Sequence, residues 1–220
     1  MTGERRKFTR EGEERRREAL ISAALELVAE GGIALATVRS IAERAGVTPG
    51  LIRHYFQSKE ELTRAAYRAL MDRMTAQNLA VLDSAPPCAM SRLAAFVAAS
   101  LRPPVVDAGR LSRWAGFIQT LRRDPAMRDI HEATYLHYRD LLAGLIADLP
   151  DPPPQDRIQQ LSIACNGLID GLWLEGCALP ENFGPDELSR IGVAGVSAIL
   201  GRDLTPYVPP PADDAGKEPA

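Results

Sequence analysis

Residues 37–62 read TVRSIAERAGVTPGLIRHYFQSKEEL, and this stretch decides how the rest of the chain is parsed. Thr37 is a good N-cap. Val38, Ile41, Ala42 and Ala45 follow at helical spacing until Gly46, a residue that accepts the positive φ by which helices end. Val47 is expected to turn inward as the anchor of the bend. Thr48 is placed to cap a second helix, and Pro49 stands at its first position, where a missing N–H costs nothing and φ is already set. Two short helices joined by a tight glycine turn make a helix-turn-helix.

In the second helix Ile52 and Phe56 share the inner face, while Pro49, Gly50, Arg53 and His54 share the opposite one, which is free to enter a groove. Gln57 interrupts the pattern. Ser58 and Glu61 then form an S-x-x-E capping box, and Lys59 stands at the N-terminus of a third helix, where backbone N–H groups attract phosphate. Upstream, Arg15, Arg16 and Arg17 open a helix whose stripe Leu20, Ala23, Ala24, Leu27 and Val28 ends at Gly31 and Gly32, and which should brace the two after it. Residues 1–10, with Arg5, Arg6, Lys7 and Arg10 and no apolar stripe, read as a flexible basic arm. Such an arm either follows DNA phosphates and the minor groove or is simply solvated.

Residues 38–62, twenty-five in a row, resemble the DNA-binding signature of the TetR family of transcriptional regulators, and the HYF-x-S-K-E-E-L tail makes the likeness specific. The resemblance implies an all-α fold: a three-helix DNA-binding head over 11–64, a continuous connecting helix, and a helical effector-binding and dimerisation body over 65–204. It implies a ligand-responsive, sequence-specific regulator, a repressor released from a pseudo-palindromic operator by a small molecule. The candidate DNA-binding set is Thr37, Thr48, Pro49, Gly50, Arg53, His54, Tyr55 and Lys59. Thr48, Tyr55 and Lys59 match the family's phosphate-contacting positions, whereas Arg53 and His54 are best placed to meet base edges. The chain departs from the family at Pro49, where many relatives carry Lys or Arg, and at Leu51, where many carry a small hydroxyl residue. Polar readout therefore shifts onto Arg53 and His54.

Beyond the head, Ala65, Ala66, Ala69, Leu70 and Met74 keep a helical period to about Leu82, before Ser84, Ala85, Pro86 and Pro87 break the chain. Further helices are expected over 91–101, 110–121, 125–149, 155–179 and 185–200. The helix at 155–179 is apolar around most of its circumference, and the one at 185–200 is studded with small residues, so each must bury more than one face. Gly167 with Gly171, and Gly192 with Gly195 and Ala198, form seams where backbones can approach closely. Those seams serve either packing within the chain or, as the family resemblance implies, a homodimer through the last two helices. From Thr205 onward TPYVPPPADDAGKEPA is rich in Pro and acidic residues and is expected to be disordered to residue 220.

NGLIDGLWL at 166–174 is similar to the C-terminal domain of BetI-type repressors within the family, which respond to choline-related quaternary ammonium compounds. That likeness implies a cage in which Trp114, Phe117, Tyr135, Tyr138 and Trp173 offer aromatic faces and Asp170 a counter-charge. The alternative is that the aromatics are core and that Asp170 pairs with Arg113 or Arg139. His131 and His137 fall nearby, as residues that either line a pocket or stay hydrogen-bonded at the surface.

The net charge is −3 overall, but residues 1–64 carry 12 Lys/Arg against 10 Asp/Glu, net +2, and the remainder 14 against 19, net −5, an asymmetry that suits DNA contact at the N-terminal end. Cys88, Cys165 and Cys177 lie far apart, without metal-ligand spacing, and read as buried reduced thiols. With a charged start and no long apolar run, the expected location is the cytoplasm. Three histidines, no phosphate-binding glycine loop and no nucleophile elbow argue against an enzyme, a cofactor or a metal site. A helical adaptor that binds only protein would leave the chemistry of residues 48–59 without a use.

Overall fold

The computed structural model describes the backbone of residues 2–211 and the side chains of residues 12–211. The described residues form α-helices and short 3-10 turns with no strand, as the sequence predicts. The helices are α1 (Thr2–Leu35), α2 (Val38–Arg44), α3 (Pro49–Tyr55), α4 (Lys59–Ala80), α5 (Ala89–Ser100), α6 (Ala108–Ile118), α7 (Pro125–Ala147), α8 (Gln155–Ala178) and α9 (Glu187–Leu200). They divide into two compact units, residues 1–72 with 112–134, and residues 73–111 with 135–220. The division falls inside α4, after Asp72, and the first unit takes in part of α6 and α7.

In the first unit α1 begins at Thr2, so the backbone of the segment expected as a flexible arm is helical, and its side chains lie outside the described residues. The sequence rationalises this: Glu and Arg recur through residues 11–18 at spacings such as Glu13 to Arg17, which favour helix, and the run 1–10 holds no Pro to stop it. Leu20, Ala23, Ala24, Leu27 and Val28 are all buried, the stripe read from the sequence. Helical geometry fails at Gly31 and Gly32, where Gly32 takes φ 70° and ψ −175°, a conformation open almost only to glycine. Tyr67 of α4 is fully buried beside Phe117, with ring centroids 5.2 Å apart, and its hydroxyl lies 2.7 Å from His131 Nδ1. Burial pushes the Tyr67 phenol well above its ordinary range. Arg64 donates to both Asp124 oxygens from one guanidinium edge, Nε at 2.8 Å and Nη2 at 3.0 Å, and Asp124 also accepts the Met127 N–H at 3.2 Å, capping α7.

In the second unit α5 is the central element, with Leu93, Phe96 and Val97 fully buried. The glycines of α9 are consumed within the chain. A Cβ on Gly192 would stand 2.0 Å from Leu101 Cδ1, and one on Gly195 2.5 Å from Leu168 Cδ2. At Gly192 and Gly195 the close approach is made within the chain, by Leu101 at the C-cap of α5 and Leu168 of α8, whereas Gly167 and Gly171 of α8 have nothing within 4 Å of an added Cβ. Cys165 and Cys177 are buried, but Cys88 is exposed, because it follows the Pro86–Pro87 break at the mouth of α5.

The tail corrects a further expectation. Residues from Thr205 are not disordered throughout: Thr205–Tyr207 forms a 3-10 turn, and Leu204 just before it is fully buried. Arg102 donates to both Asp186 oxygens, at 2.5 and 2.7 Å, and to the Pro209 carbonyl at 2.9 Å, so one guanidinium ties the ends of α5, α9 and the tail. Residues 212–220 lie outside the described residues. Burial acts to raise the Asp186 carboxyl, but the Arg102 and Ser189 hydrogen bonds outweigh it and hold the group below the usual carboxylate range.

Arg102→Ala is expected to cost about 2 kcal/mol in chemical denaturation, between the values for exposed and buried pairs. Because the folded Asp186 pKa is depressed, its contribution is complete above the unfolded carboxylate value and is lost as pH falls through the lower folded one. The gap in stability between wild type and variant should therefore narrow in acid.

Candidate functional site

The helix-turn-helix is built by local contacts. Thr37 Oγ1 accepts the Ser40 N–H at 3.1 Å while Ser40 Oγ accepts the Thr37 N–H at 2.9 Å, a reciprocal cap that starts α2. At its other end the Gly46 N–H reaches the Glu43 carbonyl at 3.2 Å and the Val47 N–H the Ala42 carbonyl at 2.9 Å, with Gly46 at φ 66°. Val47, expected in the core, is only half-buried. Arg44 forks onto Glu30 at 2.8 and 2.9 Å and reaches Glu26 at 3.2 Å, fastening α2 to α1.

Thr48 has the extended backbone of an N-cap, φ −79° and ψ 148°, yet its side chain makes no capping hydrogen bond, so its hydroxyl is not spent on α3 as the sequence suggests. Ile52 and Phe56 are each 1% exposed, and the Arg17 guanidinium sits 5.0 Å over the Phe56 ring. The opposite face holds Pro49, Gly50, Arg53 and His54, all exposed, with Thr37 and Thr48 exposed beside it. Tyr55 is half-buried, edge-on to His54 with centroids 5.0 Å apart. Lys59 is half-buried, and its Nζ lies 3.4 Å from the Ile33 carbonyl. The Ser58 cap is present, with the Glu61 N–H on Ser58 Oγ at 3.1 Å, but the Glu61 carboxylate accepts from Gln57 at 2.9 Å, one residue earlier than a standard box.

The six aromatic and acidic candidates separate. Phe117 and Trp114 belong to the first unit, Phe117 fully buried against Tyr67 and Trp114 half-buried. The other four belong to the second. There the Tyr135 hydroxyl donates to Asp170 Oδ2 at 2.6 Å, and the Asn166 amide donates to both, at 2.5 Å to Tyr135 and 2.9 Å to Asp170. Burial and the neighbouring carboxylate push the Tyr135 phenol up to about 12. Tyr138 stacks on Phe96 at 5.2 Å and shares a 2.8 Å hydrogen bond with Ser100, and burial raises its phenol well above the ordinary range. Trp173 is 8% exposed and donates to the Val105 carbonyl at 2.9 Å. Asn166 was missed as a site residue, although it precedes Asp170 by one helical turn. It is 2% exposed and its Oδ1 has no hydrogen-bond partner.

A capped helix-turn-helix whose second helix turns a cationic, acid-free face to solvent is the arrangement of a DNA-binding protein. Comparison with known proteins gives the family. Residues 20–66 match the bacterial regulatory proteins of the tetR family, and residues 89–201 match the C-terminal domain of BetI-type transcriptional repressors. The HTH-type transcriptional regulator BetI of Burkholderia thailandensis is 31% identical over 164 residues, 73% of this chain and 81% of that protein. The chain belongs to the TetR family of transcriptional regulators, with a BetI-type C-terminal domain, and is not an enzyme. Among solved structures, a transcriptional regulator from Pseudomonas aeruginosa PAO1 superposes with a TM-score of 0.76 at 30% identity, over 88% of this chain and 94% of that one. A regulator from Saccharomonospora viridis, solved in complex with choline, shares the fold with a TM-score of 0.66 at 20% identity, over 81% of this chain and 94% of that one. Members of this family bind operator DNA and small-molecule effectors. No helix among the described residues is long and apolar enough to cross a membrane.

Gly46 has open space around an added Cβ, so only its φ of 66° resists substitution. Gly46→Ala should lower stability by about 1 kcal/mol and Gly46→Asn by less, read as midpoints of thermal or denaturant unfolding.

Proposed function

We propose that this regulator is a repressor that binds a pseudo-palindromic operator as a homodimer and leaves it when a small cationic effector enters the body. The carrying observation is the exposed face of α3, Pro49, Gly50, Arg53 and His54, opposite the buried Ile52 and Phe56. Arg53 and His54 read base edges from the major groove; Thr37, Thr48, Tyr55 and Lys59 meet phosphates, and Pro49 or Leu51 touches thymine methyls. The domain roles follow: a head around α1 to α3, and a body from α4 onward that senses and dimerises.

The dimer reading draws support from α8, whose open Gly167 and Gly171 lie on a face with the exposed Ile163 and Leu174, and from exposed Ile191 on α9. A two-fold pair places the two recognition helices about 34–36 Å apart, in successive major grooves. α4, with neither Gly nor Pro from Lys59 to Ala80, is the lever that passes displacement to the head. The protein works in the cytoplasm, where its DNA is.

For the effector, the Asn166–Asp170–Tyr135 cluster favours a ligand that brings positive charge. A quaternary ammonium compound is the particular candidate, with Tyr138 and Trp173 as ring faces in that unit, and Trp114 and Phe117 as the remaining aromatics. Phe117 is fully buried against Tyr67 and Trp173 is committed to the Val105 carbonyl, so those two serve the core first.

In mobility-shift titrations on the DNA upstream of its own gene, Arg53→Ala should lose about 1–3 kcal/mol on operator and little on random duplex. Lys59→Ala should weaken both alike and flatten the salt dependence by about one unit. Equal losses on both duplexes for Arg53→Ala would remove its base-reading role. Choline at about 100 times its dissociation constant should stabilise the protein by roughly 2.7 kcal/mol in thermal-shift assays, and Asp170→Asn should abolish the effect. No shift with choline or betaine removes the quaternary ammonium reading and leaves the DNA reading intact.

A further inference from the structure

The first unit holds a groove of about 1010 Å³ that the DNA-binding face does not use. One wall is the break that follows the helical part of α1, Gly31, Gly32 and Ile33; the other is the end of α6 and the turn after it, from Gly116 to Arg122 and Arg123. Its size is that of a small-molecule site. At the floor the walls are pressed together, because a Cβ on Gly116 would stand 2.5 Å from Val28 Cγ1. Above it the space opens, since nothing lies within 4 Å of a Cβ on Gly32.

The groove is apolar along one side and cationic at one end. Arg122 and Arg123 are exposed and make no ion pair or side-chain hydrogen bond among the described residues. The carboxylates that flank the two walls in sequence are already neutralised: Glu30 is gripped by Arg44 and Asp124 by Arg64, both through two hydrogen bonds. Lys59 Nζ, from the start of α4, lies 3.4 Å from the carbonyl of Ile33, a residue of the first wall. Arg122 and Arg123 are thus left on the rim without an ion pair among the described residues.

We infer that this groove binds an amphipathic organic anion, a carboxylate with a short apolar chain, whose head is held by Arg122 and Arg123 and whose chain lies against Ile33 and the glycine backbones. The guanidinium forks suit a carboxylate in geometry as well as charge. The site is separate from the cluster around Asp170, which belongs to the other unit. The ligand would touch the non-helical link just ahead of α2, so its binding and DNA binding should be thermodynamically coupled, each altering the other by the same factor.

Calorimetric titration with octanoate and octanol, paired with hydrogen exchange, tests the assignment on the full-length protein. The expected result is octanoate binding, protection confined to residues 29–36 and 113–124, and at least tenfold weaker binding by octanol and by R122Q/R123Q. The substituted side chains are exposed, so the fold should persist, which a thermal melt checks. Absent octanoate binding, equal affinity in the double variant, or protection within residues 135–178 instead would overturn it. So would a double variant that loses operator affinity without ligand and whose salt slope falls by about two, because the arginines would then be serving DNA phosphates.

Discussion

A helix of seven residues cannot hold itself together in water, and α3 has seven. Nucleating an isolated helix costs about 4 kcal/mol for a nucleation constant near 10⁻³. Fully burying two large apolar side chains contributes about 3–6 kcal/mol, and α3 with its C-cap offers two, Ile52 and Phe56. The first unit is arranged to receive them. The α1 stripe from Leu20 to Val28 is buried in the same unit, Arg17 covers the Phe56 ring, and Arg44 clamps α2 to α1. Because the inner face supplies the stability, the outer face is released from any structural duty and can be polar, cationic and exposed. That division of labour makes a recognition helix possible on so short an element.

Arginine–carboxylate forks recur wherever separate segments must be fixed. Arg44 with Glu30, Arg64 with Asp124, and Arg102 with Asp186 each make two hydrogen bonds, across 14, 60 and 84 residues of sequence. A two-point fork fixes orientation as well as distance, which a single ion pair does not. These pairs also sort the charge: acids near the first unit's groove are neutralised, while Arg53, Arg122 and Arg123 remain exposed. In the second unit the uncharged donors Tyr135 and Asn166 both donate to Asp170.

The helix-turn-helix was legible because everything that makes it is local. The Thr37 and Ser40 cap, the Gly46 turn and the Ile52 and Phe56 face all follow from spacings of three to five residues, and the family signature lies on the same stretch. Body helix limits were legible to within a few residues, since Pro and Gly mark the breaks. What escaped depends on distant partners. Gly192 and Gly195 look alike to Gly167 and Gly171 in sequence, and only the positions of Leu101 and Leu168 show that the first two are filled from within. The tail's composition suggested disorder, but Arg102, more than a hundred residues earlier, binds the Pro209 carbonyl. Cys88 could not be told from the two buried thiols by type alone. Of the aromatic candidates, periodicity could not separate Phe117, which packs in the first unit, from Tyr135, which orders a carboxylate in the second.

In the proposed mode of binding, the outer face of α3 enters the major groove once from each protomer of a two-fold pair. Hydroxyl-radical footprinting of the DNA upstream of the gene reads this directly. Two protected patches are expected on one face of the duplex, about one helical turn apart and related by a pseudo-two-fold axis. A single unpaired patch, or protection with no dependence on sequence, would contradict it.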